Sequence, residues 1–405
     1  MKYITVLMDG AGDFPIPELG GKTPYEYANT KTIDKLSQKS VLGLCKTVPD
    51  GMPAGSDVAN LSALGYDPFI YHTGRSPLEA ASIGIKLADT DVTFRCNFVT
   101  VSEDGDQYKE KTMLDHSAGD LPTEDSAILL EAIKPIINNG VFSIYLGTSY
   151  RNLIVMKNGT TNVSLTPPHD FLGQKIKDHV PAGEIADVIF EMQEKCHQVL
   201  SRHPLNIKRK EMGKNPANAI SIWGEGKKPM LDDYYQKFGV KGSVISAVDL
   251  IKGIGVLAGL KVKQIENATG TINTNFIGKA KGAVEELEAG ADFVFLHFEA
   301  PDECSHQGDL DDKIKSIEII DDTVIKYITE ELAKQNIDFR MLILPDHYTP
   351  ISTRTHAAIP VPFMIYDSTK EHKGDLFSEA NCKKSGLFID KGEKLVRMLF
   401  DKGVQ

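Results

Sequence analysis

The sequence predicts an α/β fold with a mainly parallel sheet flanked by helices, together with a small inserted α+β unit. Two observations support this class. Short apolar runs with almost no polar alternation occur at residues 3–8, 293–298 and 341–344, and such runs are typical of strands buried on both faces of a parallel sheet. Strand-like and helix-like segments also alternate along much of the chain, as expected for βαβ units.

The first strand is predicted at residues 3–8, and Asp9 follows it directly, before Gly10. An Asp before Gly is often only a turn residue. This one lies at the carboxyl end of a strand, however, where α/β proteins form their sites. Apolar spacing through residues 58–64 predicts the next helix, with Ser56 as its N-cap. Most such serines only cap a helix. The alternative is that the free N–H groups of this helix stabilise an anion beside the hydroxyl.

The middle of the chain, residues 90–203, has a different pattern of predicted secondary structure, because its strands are short and mixed with helices. Strands are predicted at 93–102, 143–146 and 153–157, and helices at 123–138 and 182–200. The acidic segment 102–106 is predicted to be a hairpin turn. This part of the sequence indicates a small α+β unit rather than more of a parallel sheet.

The C-terminal third concentrates side chains that can bind metal ions. Five such residues follow the predicted strands 293–298 and 341–344: Asp302, His306, Asp346, His347 and His356. We expect them on loops at the carboxyl ends of strands, where they can converge. Carboxylate and imidazole together suit a divalent transition metal. Cys304 is interpreted as a bystander, since this ligand set does not require sulfur.

The candidate residues constrain the domain organisation. Asp9 and Ser56 lie near one end of the chain and the other candidates near the opposite end, so one domain must be built from both ends. We predict a discontinuous core of residues 1–89 and 204–405 and an inserted cap of residues 90–203. The segment near Trp223 is assigned to the core, because strand and helix signals continue to alternate from there.

Composition excludes several classes of protein. The formal net charge of −11 and the pI near 5.5 disfavour nucleic-acid and membrane-surface partners. No apolar stretch reaches the roughly 18 residues of a membrane-spanning helix, and no signal-peptide pattern begins the chain. The five cysteines form no C-x-x-C pair, which indicates reduced thiols and a cytoplasmic protein. None of these features predicts an oligomeric state.

Several motifs follow one another in order along nearly the whole chain. They include Met8-Asp9-Gly10, Gly55-Ser56-Asp57, Pro301-Asp302, Pro345-Asp346-His347 and Thr355-His356. As an ordered set they resemble the 2,3-bisphosphoglycerate-independent phosphoglycerate mutases of archaeal type, in the alkaline phosphatase superfamily. The resemblance implies an alkaline-phosphatase-like core. It also implies interconversion of 3- and 2-phosphoglycerate through a phosphoserine, without 2,3-bisphosphoglycerate.

The resemblance further implies a nucleophile and two divalent ions. One ion would be held by Asp9, Ser56, Asp346 and His347, and the other by Asp302, His306 and His356. Ser56 would carry the phosphoryl group between the two ends of the substrate. Seven ligands exceed what one tetrahedral ion uses. The mixed ligand set permits Mn²⁺ or Zn²⁺, with Mg²⁺ as a further candidate.

A small phosphorylated substrate with a carboxylate also needs cations, preferably arginine. The residues predicted to bind it, or to orient it and move its proton, are Arg95, Arg151, Arg209, Lys252, His169 and Asp170. For each cation the alternative is a solvated surface charge. For His169 the alternative is a loop histidine in a proline-rich turn.

One segment departs from the family pattern. Residues 115–120 are Asp-His-Ser-Ala-Gly-Asp, where the resemblance leads us to expect an arginine-rich Asp-Arg-Arg-Ala-Gly-Arg. Fewer arginines would suit a less charged substrate. The resemblance extends to relatives with such a variant segment for which a homoserine kinase-like activity is suggested, and that activity, or a phosphatase that uses the same Ser56, is an alternative. A third alternative is a non-catalytic binding module held together by metal ions, in which Ser56 is only a helix cap.

Overall fold

The computed structural model describes residues 1–400. The strands are β1 (Lys2–Met8), β2 (Val41–Cys45), β3 (Val92–Val101), β4 (Met113–Asp115), β5 (Phe142–Tyr145), β6 (Arg151–Met156), β7 (Val163–Ser164), β8 (Ala182–Gly183), β9 (Ala219–Lys227), β10 (Gly242–Ile245), β11 (Lys261–Val262), β12 (Phe293–Phe298), β13 (Phe339–Leu344), β14 (Val361–Asp367) and β15 (Phe388–Ile389).

The α-helices are α1 (Pro24–Tyr27), α2 (Lys31–Ser37), α3 (Ser56–Ala63), α4 (Pro68–Tyr71), α5 (Ser76–Ser82), α6 (Thr123–Ile137), α7 (Ala186–Leu200), α8 (Pro204–Glu211), α9 (Tyr234–Phe238), α10 (Asp249–Leu257), α11 (Phe276–Glu288), α12 (Ala300–Gln307), α13 (Leu310–Ile319), α14 (Lys326–Lys334), α15 (Glu379–Lys384) and α16 (Leu395–Leu399). A π-helical segment, Ile320–Ile325, connects α13 to α14.

The chain divides into two compact units. Among the described residues, the first unit consists of 1–72 and 230–400, and the second of 73–229. Within the part of the chain that the structure describes, no helix is long and apolar enough to cross a membrane.

The first unit is built on an eight-stranded sheet in the order β11-β10-β12-β1-β13-β14-β2-β15. The pairs on either side of β1 are parallel, and only the two pairs made by β14 are antiparallel. In β1, residues 4–8 are all fully buried. Because side chains alternate between the faces of a strand, both faces of the sheet centre are covered. The continuous apolar runs therefore predicted the buried, mainly parallel sheet correctly.

The strand ends of this sheet supply the candidate site. Asp9 follows β1 directly, and the segment 345–347 follows β13. Asp302 and His306 were expected on a loop, but they lie in α12, which begins two residues after β12. Residues four apart share one face of a helix, so the helix brings these two side chains together. Gly308, with φ at 75°, ends α12 in the left-handed conformation that favours glycine.

The second unit has its own sheet and its own core. Strand β3 lies between β6 and β9, which are both antiparallel to it, and β5 extends the sheet beyond β6. Helices α6 and α7 contribute apolar side chains to the same core, among them Leu129, Ile133, Ile189 and Met192. The short strands and the two helices predicted for the middle of the chain are all present.

One assignment in this region was wrong. The segment that contains Trp223 was assigned to the core of the first unit, but β9 pairs with β3 along residues 92–99 of the second unit. The predicted boundaries at 89/90 and 203/204 consequently differ from those of the compact unit, residues 73–229. Strand β9 is followed in the sequence by α/β elements of the first unit, but it pairs with β3, which lies more than a hundred residues earlier. The local sequence pattern carries no information about such distant pairing.

Candidate active site

Ser56 is the first residue of α3 and is buried. The N-cap of this helix is Gly55, which has extended backbone angles and no side chain to accept a capping hydrogen bond. The predicted N-cap role is therefore wrong. The hydroxyl instead lies beside His347, with 3.2 Å between Ser56 Oγ and His347 Nε2. A hydroxyl that does not cap its own helix, yet lies near the free N–H groups of that helix, is placed to meet an anion.

Carboxylates surround the same imidazole nitrogen. His347 Nε2 lies 3.4 Å from Asp9 Oδ1 and 3.4 Å from Asp346 Oδ2. Asn60, one turn beyond Ser56 on α3, donates a hydrogen bond of 2.9 Å to Asp346 Oδ2. We call Asp9, Ser56, Asp346 and His347 the first ligand group. The structure thus brings together the four residues that the resemblance assigned to one ion.

Asp302, His306 and His356 form a second ligand group. Asp302 Oδ2 lies 3.1 Å from His306 Nε2, and Asp302 Oδ1 lies 3.5 Å from His356 Nε2. The Nδ1 atoms of the two rings bond to the carbonyl oxygens of Arg354 and Ala54, both at 2.9 Å. Only a protonated Nδ1 can donate to a carbonyl, so each ring presents Nε2 as its ligand atom. The two Nε2 atoms lie 2.9 Å apart, facing a position that a proton or a cation must fill.

The burial and negative charge around Asp9 favour the binding of a cation between the two ligand groups. Burial, and after it the negative charges of Asp346 and Glu299, raise the pKa of Asp9 well above its ordinary value. Asp9 Oδ1 also lacks a hydrogen-bond partner among the residues that the structure describes. Buried like charges of this kind need positive neighbours. The carboxylate and imidazole donors fit divalent metal ions, with His347 within 4.8 Å of ligand atoms in both groups.

Two residues near Asp9 were missed in the sequence, His297 and Glu299. His297 Nε2 lies 2.9 Å from Asp9 Oδ2, and its Nδ1 lies 3.2 Å from Ser246 Oγ. Burial lowers the pKa of His297 to about 3, so the ring is neutral, and its Nε2–H donates to Asp9 and orients it. Glu299 Oε2 also lies near this ring, 3.7 Å from His297 Nε2. The available signal was a single histidine inside the apolar run 293–298.

A buried ion pair joins the segments that carry the ligands. Lys313 Nζ on α13 lies 2.8 Å from Asp13 Oδ2, and both side chains are almost fully buried. Lys313 also donates to the carbonyl of Thr349 at 3.0 Å. The backbone N–H of Ile351 donates to the same Asp13 oxygen at 3.1 Å. The pair therefore connects the loop after β1, the helix after α12 and the loop after β13.

Replacement of Lys313 with methionine is expected to destabilise the protein by about 3–5 kcal/mol, because Asp13 would remain as a buried, unpaired charge. Urea denaturation followed by circular dichroism measures the loss. Lys315→Met is the control: the Lys315 side chain is 62% exposed and lies 3.7 Å from Asp312, so its removal should cost less than about 1 kcal/mol. Equal losses in the two variants would contradict the structural role of the buried pair.

The second unit contains cations and rings that we call the arginine–histidine cluster: Arg75, Arg95, Arg151, His116, His169 and Trp223. Arg95 binds Glu79 through two hydrogen bonds of 3.1 and 2.8 Å. Its guanidinium lies 4.4 Å from the centre of the Trp223 ring. Burial is the main cause that lowers the pKa of Arg95, and the positive charges of Arg75 and Arg151 add to it. The negative charge of Glu79 acts in the opposite direction and raises this pKa. Three arginines in one place form a candidate anion site.

Two histidines complete this cluster. The rings of His169 and Trp223 are 5.2 Å apart, and those of His116 and His169 are 6.1 Å apart. Burial lowers the pKa of His169, although Asp170, 3.6 Å away, opposes the shift. His116 belongs to the segment 115–120, which departs from the family pattern. Asp115 closes that segment into a turn by accepting two backbone N–H groups.

The two remaining candidates, Arg209 and Lys252, make polar contacts within their own units. Arg209 of the second unit uses three donors internally, to Asp125 at 2.8 Å, to the carbonyl of Asn215 at 3.0 Å and to that of Ala118 at 2.9 Å. Lys252 of the first unit lies on α10 and pairs with Asp249 at 2.9 Å. These contacts account for Arg209 as part of the framework of its unit.

Comparison with known proteins gives matches along the whole chain. Residues 37–206 match the family model of 2,3-bisphosphoglycerate-independent phosphoglycerate mutase. A protein of that name from Methanosarcina barkeri is 44% identical over 402 residues, covering 98% of this chain and 99% of the relative. A probable enzyme of the same name from Geobacter sulfurreducens is 45% identical over 404 residues, covering 99% and 100%.

Solved structures agree with these relatives. The structure of a protein from Pyrococcus horikoshii superimposes with a TM-score of 0.82 at 32% identity, covering 99% of this chain and 96% of the other. A cofactor-independent phosphoglycerate mutase from Thermoplasma acidophilum has the same fold, with a TM-score of 0.67 at 23% identity and coverage of 99% and 100%.

The helix-flanked mixed sheet, with a serine and clustered carboxylates and imidazoles at its strand ends, defines an α/β protein with a candidate metal-dependent active site. The predicted fold class is thereby confirmed. The full-length identity to the relatives narrows the class. The chain belongs to the 2,3-bisphosphoglycerate-independent phosphoglycerate mutase family, as its motifs predicted.

Proposed function

We propose that this protein interconverts 3-phosphoglycerate and 2-phosphoglycerate through a phosphoserine at Ser56, with divalent metal ions and without 2,3-bisphosphoglycerate. The observation that carries the proposal is the position of Ser56. Ser56 is the first residue of α3. Its hydroxyl lies 3.2 Å from His347 Nε2, and His347 forms a buried group with Asp9 and Asp346. Family membership supports the same substrate.

Two ions would be held by the two ligand groups. Asp9, Ser56, Asp346 and His347 would hold one, and Asp302, His306 and His356 the other. When bound, such ions lower the pKa of a coordinated hydroxyl and neutralise charge on a transferring phosphoryl group. Mn²⁺ and Zn²⁺ suit these ligands, and Mg²⁺ is a weaker candidate because imidazole is not its preferred donor.

The residues of the first unit then carry the phosphoryl transfer. Ser56 Oγ forms a bond to phosphorus while the ester bond to the C3 oxygen of the substrate breaks. Ser56 gives up one proton and the departing alkoxide takes one, so no proton is gained or lost. The free N–H groups at the start of α3 stabilise the phosphoryl oxygens. Return of the group to the C2 oxygen reverses each change and frees Ser56.

The arginine–histidine cluster of the second unit is the proposed site for the substrate's carboxylate. Arg95 and Arg151 supply positive charge, and Arg95 is held by Glu79 and Trp223. His169, with Asp170 beside it, is proposed to orient the substrate or to move a proton. Its pKa is lowered by burial, so the ring is neutral near pH 7 and can accept or donate. In the first unit, Lys252 is the candidate contact for phosphate.

The alternative is a kinase-like or phosphatase activity of the same Ser56. It is motivated by residues 115–120, which lack the expected arginines. The cluster nevertheless contains three arginines near one another, and that charge favours a substrate with both a carboxylate and a phosphate. The mutase proposal therefore accounts for more of the second unit.

We also propose a cytoplasmic location and no nucleic-acid partner. All five cysteines are free and buried, which is consistent with a reducing compartment. The net charge of −11 would repel a polyanion.

A coupled assay tests the proposal. Protein loaded with Mn²⁺ is supplied with 3-phosphoglycerate, without 2,3-bisphosphoglycerate, and formation of 2-phosphoglycerate is followed. The expected result is turnover in the range typical of enzymes, about 1–10³ s⁻¹, and loss of that turnover after chelation. Well-folded, metal-loaded protein that gives inorganic phosphate, or that acts only on homoserine with a nucleotide donor, would overturn the mutase assignment in favour of the alternative.

A further inference from the structure

Thr349 lies two residues after His347 and is fully buried. Its hydroxyl contacts one residue from each ligand group. Thr349 Oγ1 donates a hydrogen bond of 2.5 Å to Asp302 Oδ1, and it lies 3.2 Å from His347 Nδ1. One side chain outside the ligand set thus connects the two groups.

The donor and the acceptor in each of these two hydrogen bonds follow from the chemistry of the groups. The Nε2 atom of His347 faces Ser56 and the carboxylates of the first ligand group, so it must be unprotonated to bind a cation. The ring proton then resides on Nδ1, and Nδ1–H donates to Thr349 Oγ1. Because the threonine hydroxyl has a single proton, it accepts from His347 and donates to Asp302. Hydrogen bonds of this kind select the tautomer of a metal-binding histidine.

The packing around Thr349 leaves its hydroxyl little freedom. The backbone N–H of Thr349 donates to the carbonyl of Gly12 at 3.3 Å, and its carbonyl accepts from Lys313 at 3.0 Å. A Cβ placed on Gly10 would lie 2.6 Å from Thr349 Oγ1 and 2.4 Å from Asp302 Oδ1. The backbone of Gly10 therefore closes one side of the hydrogen-bonded chain.

We propose that Thr349 is a positioning residue for both metal centres, because its hydroxyl sets the tautomer of His347 and the orientation of Asp302 together. The inference rests on the two-ion function proposed above. It implies that the loss of one hydroxyl, which is not itself a ligand, weakens both ions.

Equilibrium binding of Mn²⁺ to the metal-free, full-length protein tests this inference, with free Mn²⁺ measured by electron paramagnetic resonance. Thr349→Val keeps the volume of the side chain and removes the hydroxyl. The expected result is a loss of about 10–100-fold in affinity at both binding steps, the range found for partners of metal ligands. Thr349→Ser restores the hydroxyl and should bind both ions as the unchanged protein does.

Thr353→Val is the matched control in the same loop, since within residues 1–400 the Thr353 hydroxyl contacts nearby backbone carbonyls, at 3.4 and 3.5 Å, and no ligand residue. It should bind both ions normally. Two ions bound at unchanged affinity by Thr349→Val would overturn the inference and leave the proposed function intact, as would a loss at one step alone. An unchanged protein that binds fewer than two ions would overturn both. Thermal unfolding of each metal-free variant separates loss of affinity from loss of fold.

Discussion

Ser56→Ala is expected to lower the kcat of phosphoglycerate interconversion by at least about 10³-fold, because the bond to phosphorus forms at the Ser56 hydroxyl. The fold should be almost unaffected. Ser56 is the first residue of α3 and not its N-cap, which is Gly55, and alanine is the best helix former. The coupled assay measures kcat, and incubation with labelled substrate followed by denaturation measures covalent phosphate on the protein, which should disappear in the variant.

Ser62→Ala is the matched control for this experiment. Ser62 belongs to the same helix and is fully buried, and its hydroxyl has no hydrogen-bond partner among residues 1–400. Its removal should leave turnover and covalent labelling close to those of the unchanged protein. Turnover that persists in Ser56→Ala would show that the phosphoryl group does not pass through this serine.

Gly10→Ala is expected to reduce activity by about 10²-fold or more, because the added methyl group would displace ligands. Gly10 has φ at 61°, a conformation that costs other residues roughly 1–2 kcal/mol. Its Cβ would lie 2.4 Å from Asp302 Oδ1 and 2.7 Å from Asp302 Cβ, so Asp302 would have to move. Mn²⁺ binding should show loss of affinity in the second ligand group, and the coupled assay should show the loss of turnover.

Gly20→Ala separates the steric effect from the backbone effect. Gly20 has φ at 68°, nearly the same as Gly10, but a Cβ there would meet nothing within 4 Å. The two variants share the conformational cost, so Gly20→Ala should lose some stability while keeping its metal affinity and turnover. Similar activity losses in both would mean that backbone strain, rather than displacement of Asp302, explains the effect.

Much of the main sheet was predictable from the sequence, because burial on both faces produces short continuous apolar runs such as residues 3–8 and 341–344, which are typical of strands in a parallel sheet. Pairing was not predictable. Strand β9 follows an α/β pattern in the chain and yet pairs with β3. Hydrogen bonding between distant strands depends on tertiary packing, which leaves no local periodicity.

For the candidate site, the charged side chains were visible in the sequence and their supports were not. Asp302 and His306 stood out by their chemistry, whereas the helix that carries them was taken for a loop. His297 was hidden inside an apolar strand. Thr349 was not singled out in the sequence, and Gly10 was noted only as part of a motif. The contribution of both residues depends on distances of a few ångströms between segments far apart in the chain.

The position of β1 has a consequence for biosynthesis. This strand is synthesised before every other strand of its sheet, but it lies in the middle of that sheet, between β12 and β13. Its neighbours are residues 293–298 and 339–344, so the sheet centre cannot close until those residues have been synthesised. Residues 73–229 have their own apolar core and can fold during that interval. The high contact order of the first unit should make its assembly the slow step, and the candidate site cannot form until β13 has been synthesised.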